Sequence, residues 1–396
     1  MVYQIILSLI FAYISFNVAY LLTFAIAGLF KRKAVYSSVN KKRKIAVFIP
    51  TYKEDAIILE TAQSAIYHDY PKDKFDVIII ADQLQESTLN SLSRLPLTLI
   101  RVSFEKSTKA RSLKFALQQI ADHKYDIIFI LDADNIMERG CLEKVNHAFS
   151  SGHEMVQLHR TAKNRNTATA ILDAISEEIN NHIFRRGHRA LGLSSALIGS
   201  GMAFRYADFN ALMMEANIED NPGEDREIYL RLLQQGKVCE YIEDALVYDE
   251  KVQSRAVLEK QRTRWISAQL QYANHFWINN LRKTFSYNIH YLDYAIQTLL
   301  LPRPILLVSS ATMAILSIAI YIIGGNVSYP GITSWTILFG GCCASLIISI
   351  YRHITFKTIM IAMGGFPATC WSVFKALLKS RSDQKEFIHT PKEFIR

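Results

Sequence analysis

No glycine-rich phosphate loop occurs in this chain of 396 residues: neither G-x-G-x-x-G nor G-x-x-x-x-G-K-[ST] is present. That excludes a dinucleotide site of the Rossmann kind and a Walker-type nucleotide site. Cysteine is scarce and scattered, with Cys141, Cys239, Cys342, Cys343 and Cys370 forming no C-x-x-C pair. An odd set without metal-ligand spacing argues against a disulfide framework and fits reduced surroundings. Charge is thin as well: 20% of residues are charged, against about 25% in ordinary soluble domains. Acid is the scarcer sign, 36 Asp plus Glu against 45 Lys plus Arg, for a net charge of +9. With 50% hydrophobic residues, the chain is too apolar to be disordered.

Long apolar runs are what the sequence does have. Residues 3–30 carry no ionisable group except tyrosine, and about 20 apolar residues suffice to cross a bilayer. A signal peptide would place basic residues before its apolar run. Here Lys31, Arg32, Lys33 and then Lys41, Lys42, Arg43 and Lys44 come after it. The positive-inside rule therefore predicts a spanning helix at 1–30, a basic cytosolic linker at 31–44 and a cytosolic domain beyond. Residues 303–351 hold two further apolar runs, 305–323 and 333–350, separated by GGNVSYPG, and are predicted to span out and back. Residues 286–302 are too short to span and carry His290 and Asp293, so they are expected on the membrane surface. In 352–396, the apolar stretch 358–378 is broken by Gly364, Gly365 and Pro367. It is expected to be interfacial or re-entrant, followed by a cytosolic tail. The basic surplus lies beside these runs and no aromatic–basic RNA motif accompanies it, so anionic lipid, not nucleic acid, is its expected partner.

Between 45 and 285 the pattern is that of an α/β domain. KIAVFIP (44–50), FDVIIIAD (75–82), LTLIRV (97–102) and YDIIFILDAD (125–134) are continuous apolar runs alternating with helix-like stretches. Such runs predict a mostly parallel sheet buried on both faces. Ligands bind beyond the carboxyl ends of such strands, where Thr51, Tyr52, Glu54, Asp82, Asp132 and Asp134 fall.

Four constellations carry chemistry. Asp132-Ala133-Asp134 sets two carboxylates at a strand end, able to hold a hard cation through oxygen, although acidic pairs often merely solvate a loop. LIGSGMAFR (197–205) brackets Ser200 with glycines, which is either a tight turn or a close backbone approach to a ligand. Glu224 and Asp225 follow a Pro-Gly break and open a helical pattern. They suit capping, and one of them suits a general base. Gln261, Arg264 and Trp265 share a helix face. That face suits a diphosphate and a sugar ring, or an interfacial membrane helix. Lys109 is a further candidate for phosphate.

Taken in order, IPTYKED (49–55), IIIADQ (78–83), KARSLKFAL (109–117), ILDADN (130–135), LIGSGMAFR, GEDREIYLRL (223–232) and QRTRW (261–265) resemble the family 2 inverting glycosyltransferases. The nearest in pattern are the membrane-embedded cellulose, hyaluronan, poly-N-acetylglucosamine and chitin-oligosaccharide synthases. The resemblance implies an α/β, GT-A (Rossmann-like, mostly parallel) cytosolic domain at 45–285, flanked by transmembrane and interfacial helices in a bacterial inner membrane. It implies that Tyr52 stacks on uracil, with Thr51, Glu54 and Asp82 on the nucleoside. Lys109, Asp132, Gln261 and Arg264 would hold the UDP-sugar, and Asp134 would ligate Mg²⁺ or Mn²⁺. Gly199, Ser200, Glu224 and Trp265 would face the acceptor, and Asp225 would be the general base. The expected product is a β-linked polysaccharide or oligosaccharide, with an export partner or homo-oligomer left open. A single transfer to a lipid-linked acceptor and a non-catalytic scaffold are the competing readings. Three departures stand out: Lys114 where the family has asparagine, Gly223-Glu224-Asp225 in place of T-E-D, and no aromatic or cysteine before Gly199-Ser200.

Overall fold

The computed structural model describes residues 2–31, 36, 40–121, 124–215, 218–219, 223–325 and 329–382. The expected basic residues Arg32 and Lys33, and the tail beyond 382, lie outside them.

Eight strands form one sheet: β1 (Ile45–Tyr52), β2 (Phe75–Asp82), β3 (Thr98–Val102), β4 (Ile127–Ile130), β5 (Ile136–Met137), β6 (Met155–Ala162), β7 (Met202–Arg205) and β8 (Cys239–Asp249). Their spatial order is β3-β2-β1-β4-β7-β6-β8-β5. The pairs β1–β2, β1–β4, β2–β3 and β6–β8 are parallel, while β7 runs antiparallel to β4 and β6, and β5 antiparallel to β8. The fold is thus α/β with a mostly parallel sheet, as the apolar runs predict. Alternation explains why those runs are continuous. Ala46 and Phe48 point into one core, with Leu113, Phe209 and Ile228. Ile45, Val47 and Ile49 point into the other, with Ile58, Leu92 and Val145. Helices cover both faces, so both sets of side chains must be apolar. The expected strand at 125–134 is shorter than its apolar run: it ends at Ile130, and Asp132–Asn135 turn away, with Asn135 N–H donating to the Asp132 carbonyl at 3.0 Å.

Among the described residues, three helices are long and apolar enough to cross a membrane: Val2–Phe30, Arg303–Ile322 and Ile332–Ile350. A bent pair, Phe356–Met363 and Phe366–Lys379, meets at 65°, with Gly364 and Gly365 in the break. The three long helices share a core in which Ile14, Val18 and Leu21 meet Leu306, Trp335 and Cys342. The helix Ile289–Gln297, in the stretch expected on the membrane surface, buries Tyr291, Tyr294 and Ala295 in the core of the sheet domain. Its shortness and its polar residues His290 and Asp293 give no sign of this, because the partners of Tyr294 and Tyr291, namely Tyr229 and Phe276, lie in distant segments.

The first helix is held to the domain by polar contacts at its C-terminal half. Arg186 donates to the carbonyls of Gly28 and Lys31, both at 2.6 Å, satisfying helix-end acceptors that have no partner inside the helix. His182 meets the Ala25 carbonyl at 2.8 Å. The approach is close: a Cβ on Gly187 would lie 2.2 Å from the Phe24 carbonyl oxygen. Gly187→Ala is therefore expected to destabilise the protein by about 1–3 kcal/mol, as overpacking does, and to lower its melting temperature in detergent. Gly340→Ala, where a Cβ meets open space, should leave that temperature unchanged, and equal melting of the two variants would refute the seat.

Candidate active site

The carboxyl ends of β1 and β2 open the site. Tyr52 pairs with Asp82 in register. The next residue on each strand, Lys53 (φ 57°) and Gln83 (φ 54°), adopts the left-handed backbone region, which side chains other than glycine rarely enter and which collects at functional sites. Thr51 and Asp82 are buried. Burial pushes the Asp82 carboxyl up, while Ser107 and Lys53 hold it down.

Beside them the Asp132–Asn135 turn is tied to the glycine loop by a relay. The Asp132 N–H donates to Ser200 Oγ (2.9 Å), and Ser200 donates to Asn135 Oδ1 (2.5 Å). Asn135 Nδ2 donates to Asp134 Oδ1 and Asp249 Oδ1, both at 3.0 Å. Asp134 is thereby fixed with its other carboxylate oxygen buried at the cavity wall. Gly199 (φ 81°) holds the left-handed backbone conformation that favours glycine. A Cβ there would sit 3.5 Å from Asp225 Oδ2.

Lys109 joins the two halves. Its Nζ lies 2.5 Å from Asp132 Oδ1, 2.7 Å from the Gly199 carbonyl and 3.8 Å from Glu224 Oε1. Burial alone would lower its pKa, but Asp132, Glu224 and Asp225 more than offset that and hold the ammonium charged. Glu224 and Asp225 open the helix Glu224–Gln234, whose N-cap is Gly223. Asp225 Oδ1 accepts from the Arg226 N–H at 2.8 Å. Burial pushes the Glu224 carboxyl up to about 7, with Lys109 opposing and Asp225 adding to the rise.

The opposite wall is the helix Arg255–Ala273. It presents Gln261, Arg264 and Trp265 to the cavity. Gln261 Oε1 is buried without a hydrogen-bond partner among the described residues. The Arg262 guanidinium sits over the Trp265 ring at 4.4 Å and donates to Asp173 at 2.5 Å, which fixes the indole.

One cavity of about 870 Å³ gathers Thr51, Tyr52, Glu54, Asp82, Lys109, Asp132, Asp134, Gly199, Glu224, Asp225, Gln261, Arg264 and Trp265. Ser200, expected with them, is fully buried one layer behind the wall, where it positions Asp132 and Asn135. The cavity does not end at the polar residues. Leu21, Leu307, Leu346 and Ile347 of the long apolar helices, and Met363 and Phe366 of the bent pair, also line it.

A cluster that sequence reasoning missed lies beside the turn. Arg160 donates to Glu177 (2.9 Å), Lys251 to Asp249 (2.7 Å), and Arg185 and Lys251 both stand 3.5 Å from Glu177. Burial would raise the Glu177 carboxyl, but Arg160, Lys251 and Arg185 hold it well below the usual range. Asp249 ends β8, so the rule that singled out Asp82 at the end of β2 points to it too.

A family model described as "Glycosyltransferase like family 2" matches residues 42–268, more than half of the chain. The chain belongs to this glycosyltransferase family. It is similar to the probable glycosyltransferase YdaM of Bacillus subtilis (strain 168), 23% identical over 230 residues, 56% of this chain and 54% of that protein. The matched region thus spans about half the length of that relative. Among solved structures it is similar to the mannosyltransferase PcManGT from Pyrobaculum calidifontis in complex with GDP-Man and Mn²⁺. That likeness has a TM-score of 0.54 at 17% identity and covers 89% of this chain and 100% of that one. It shows the fold: the glycosyltransferase domain is of the GT-A kind.

The Glu224 environment has a measurable consequence. Folding keeps a proton on Glu224 that the unfolded chain releases between the ordinary glutamate range and about pH 7, so stability falls as pH rises through that window. Glu224→Gln is expected to be more stable than wild type at pH 8, by about 1–3 kcal/mol, and to come level with it at about pH 4, below the ordinary glutamate range. Chemical denaturation at the two pH values measures this; a difference that does not change with pH would be evidence against the raised carboxyl.

Proposed function

We propose that this glycosyltransferase sits in a membrane with its GT-A domain on the cytosolic face. We infer that it transfers one sugar, with inversion, from a nucleoside-diphosphate sugar to a sugar hydroxyl of a lipid-linked acceptor. The observation that carries the reading is the single cavity, which joins the carboxylate-rich strand ends to an apolar wall of Leu21, Leu346 and Ile347. A growing glycan is a chain of hydroxyl groups and is poorly served by such a wall, because buried polar groups need partners. A hydrocarbon tail is well served by it. The Q-x-x-R-W helix supports the alternative, a β-linked polymer extruded as it grows, and product size separates the two.

The donor is read as a UDP-sugar from the resemblance, with Tyr52 stacking on the base and Asp82, Thr51 and Glu54 around the nucleoside. Lys109, Gln261 and Arg264 would meet the diphosphate. The oxygen donors present, Asp134 held by Asn135 with Asp132 and Asp249 close by, suit a hard divalent cation. Mg²⁺ or Mn²⁺ there would neutralise charge on the departing diphosphate. Asp225 is read as the base. It removes the proton from the acceptor oxygen, that oxygen bonds to the anomeric carbon, and the bond from that carbon to the diphosphate breaks. Gly199 lets the backbone lie against Asp225, and Trp265, braced by Arg262, would floor the acceptor sugar. Positioning and electrostatics supply the rate.

Two experiments test this. Detergent-purified protein with Mn²⁺ is given a panel of UDP-sugars and GDP-mannose, with and without a polyprenyl-diphosphate-linked sugar, and the product is weighed by mass spectrometry. A single added sugar that depends on the lipid is expected; a ladder of repeating mass without lipid would favour the polymer. Asp225→Asn is expected to lose at least ~100-fold in transfer, the range of a general base, with nucleotide affinity kept within about threefold. A parallel loss of nucleotide affinity would sink the base assignment.

A further inference from the structure

The loop after the third long helix brings His353 to a second constellation, separate from the carboxylates of the cavity. His159 of β6, Glu178 of the helix Ala168–Asn180 and His353 each offer a ligand atom, and these atoms lie within 4.8 Å of one another. Strand and helix periodicity explain how this site coexists with the first. Side chains alternate along a strand, so Arg160 reaches Glu177 at the cavity while His159 and Thr161 turn away from it. Neighbouring helix positions diverge by about 100°, so Glu178 follows Glu177 but faces the histidines. A register shift between Leu158 and His159 in the β6–β8 ladder aims the imidazole, as bulges do.

We propose that His159, Glu178 and His353 bind a divalent transition cation of the zinc class, distinct from any cation at Asp134. Two imidazoles and one carboxylate with a fourth position open to water are a zinc donor set, unlike the all-oxygen set of the Asp132–Asp134 turn. The outer contacts that orient such ligands are present. The Tyr241 hydroxyl lies 2.7 Å from His159 Nδ1, leaving Nε2 for the metal. Thr161 donates to Glu178 Oε1 at 2.7 Å. His159 Nε2 and Glu178 Oε2 face each other at 3.1 Å, with the Asn181 amide 3.3 Å from the same nitrogen. His159 and Glu178 are buried and His353 is exposed, so solvent reaches the site from the loop side. A proton on Nε2 would satisfy the His159–Glu178 pair alone. It gives no reason for a third ligand to arrive from a separate element, its ring 5.1 Å from that of His159. Bound there, the cation would pin the end of a membrane helix to the sheet, one residue along both β6 and the helix from Arg160 and Glu177.

The inference does not rest on the identity of donor or acceptor, and its test reads metal, not turnover. Full-length protein in detergent is stripped with chelator and dialysed against limiting Zn²⁺ in excess Mg²⁺, and retained zinc is counted by mass spectrometry. About one zinc per chain is expected in wild type and in Asp134→Asn. His353→Ala, altered at an exposed position, and Glu178→Gln should lose at least tenfold in zinc affinity. Zinc should raise the melting temperature of wild type but not of His353→Ala. Absence of retained zinc in wild type, zinc retained equally by His353→Ala, or zinc lost in Asp134→Asn alone would overturn the assignment.

Discussion

Carboxylates can be crowded into one buried cavity only if cations are interleaved among them, and the structure of this chain follows from that constraint. Taking an ion out of water is expensive unless it is paired and hydrogen-bonded. Lys109 stands among Asp132, Glu224 and Asp225, and the Arg160–Arg185–Lys251 group stands around Glu177 and Asp249. The two clusters meet across the Asp132–Asn135 turn, where Asn135 bridges Asp134 to Asp249. Asp132, Glu177 and Asp249 therefore hold their places through neighbours from other segments. At Glu224 burial outweighs the opposing charge of Lys109, and the proton is held to higher pH instead. A charged diphosphate entering this cavity would meet Lys109 already drawn toward Asp132, and binding would exchange one anionic partner for another.

The same economy governs the junction with the membrane helices. A helix ending at a domain surface leaves carbonyls without partners, and Arg186 supplies them to Gly28 and Lys31 while also pairing with Glu243. The seat needs near-contact of backbones, so Gly28 and Gly187 occupy it: a Cβ on Gly28 would lie 2.6 Å from His182 Nε2. Farther along, Asn17 accepts from the Leu301 N–H at 2.7 Å and Tyr20 donates to Asp293 at 2.7 Å. Polar side chains inside an apolar helix are expensive unless partnered, and here their partners come from the domain's last segments.

Local pattern made the sheet, the long apolar helices and most of the cavity residues legible in the sequence. Apolar runs are continuous where both faces are covered, and Asp82, Asp132 and Asp134 stand at their ends because parallel sheets open there. The Arg160–Glu177–Asp249–Lys251 cluster was not legible. Its members lie in three segments, each reading as ordinary surface charge until the fold buries them together. The backing role of Ser200 was hidden for a related reason. Two glycines mark a close approach, but only the register of β7 beside β4 decides whether the serine faces the ligand or the turn behind it. His159, in LHRTA, carried no signal at all, since its neighbours Glu178 and His353 arrive from a helix and from a loop beyond the third long helix.

The bent pair ties two walls of the cavity together. Its second helix docks on the Gln261–Trp265 helix: Lys375 and Lys379 pair with Glu259 at 3.0 and 2.6 Å, and Ser380 donates to the Thr263 carbonyl at 3.2 Å. Its first part faces the cavity through Met363, and a Cβ on Gly365 would come within 3.0 Å of Ala168. One amphipathic segment thus touches the helix that bears Trp265 and the helix that bears Glu177. A break at Gly364–Gly365 is what permits the 65° turn between those contacts; a straight helix of that length would reach one wall and miss the other.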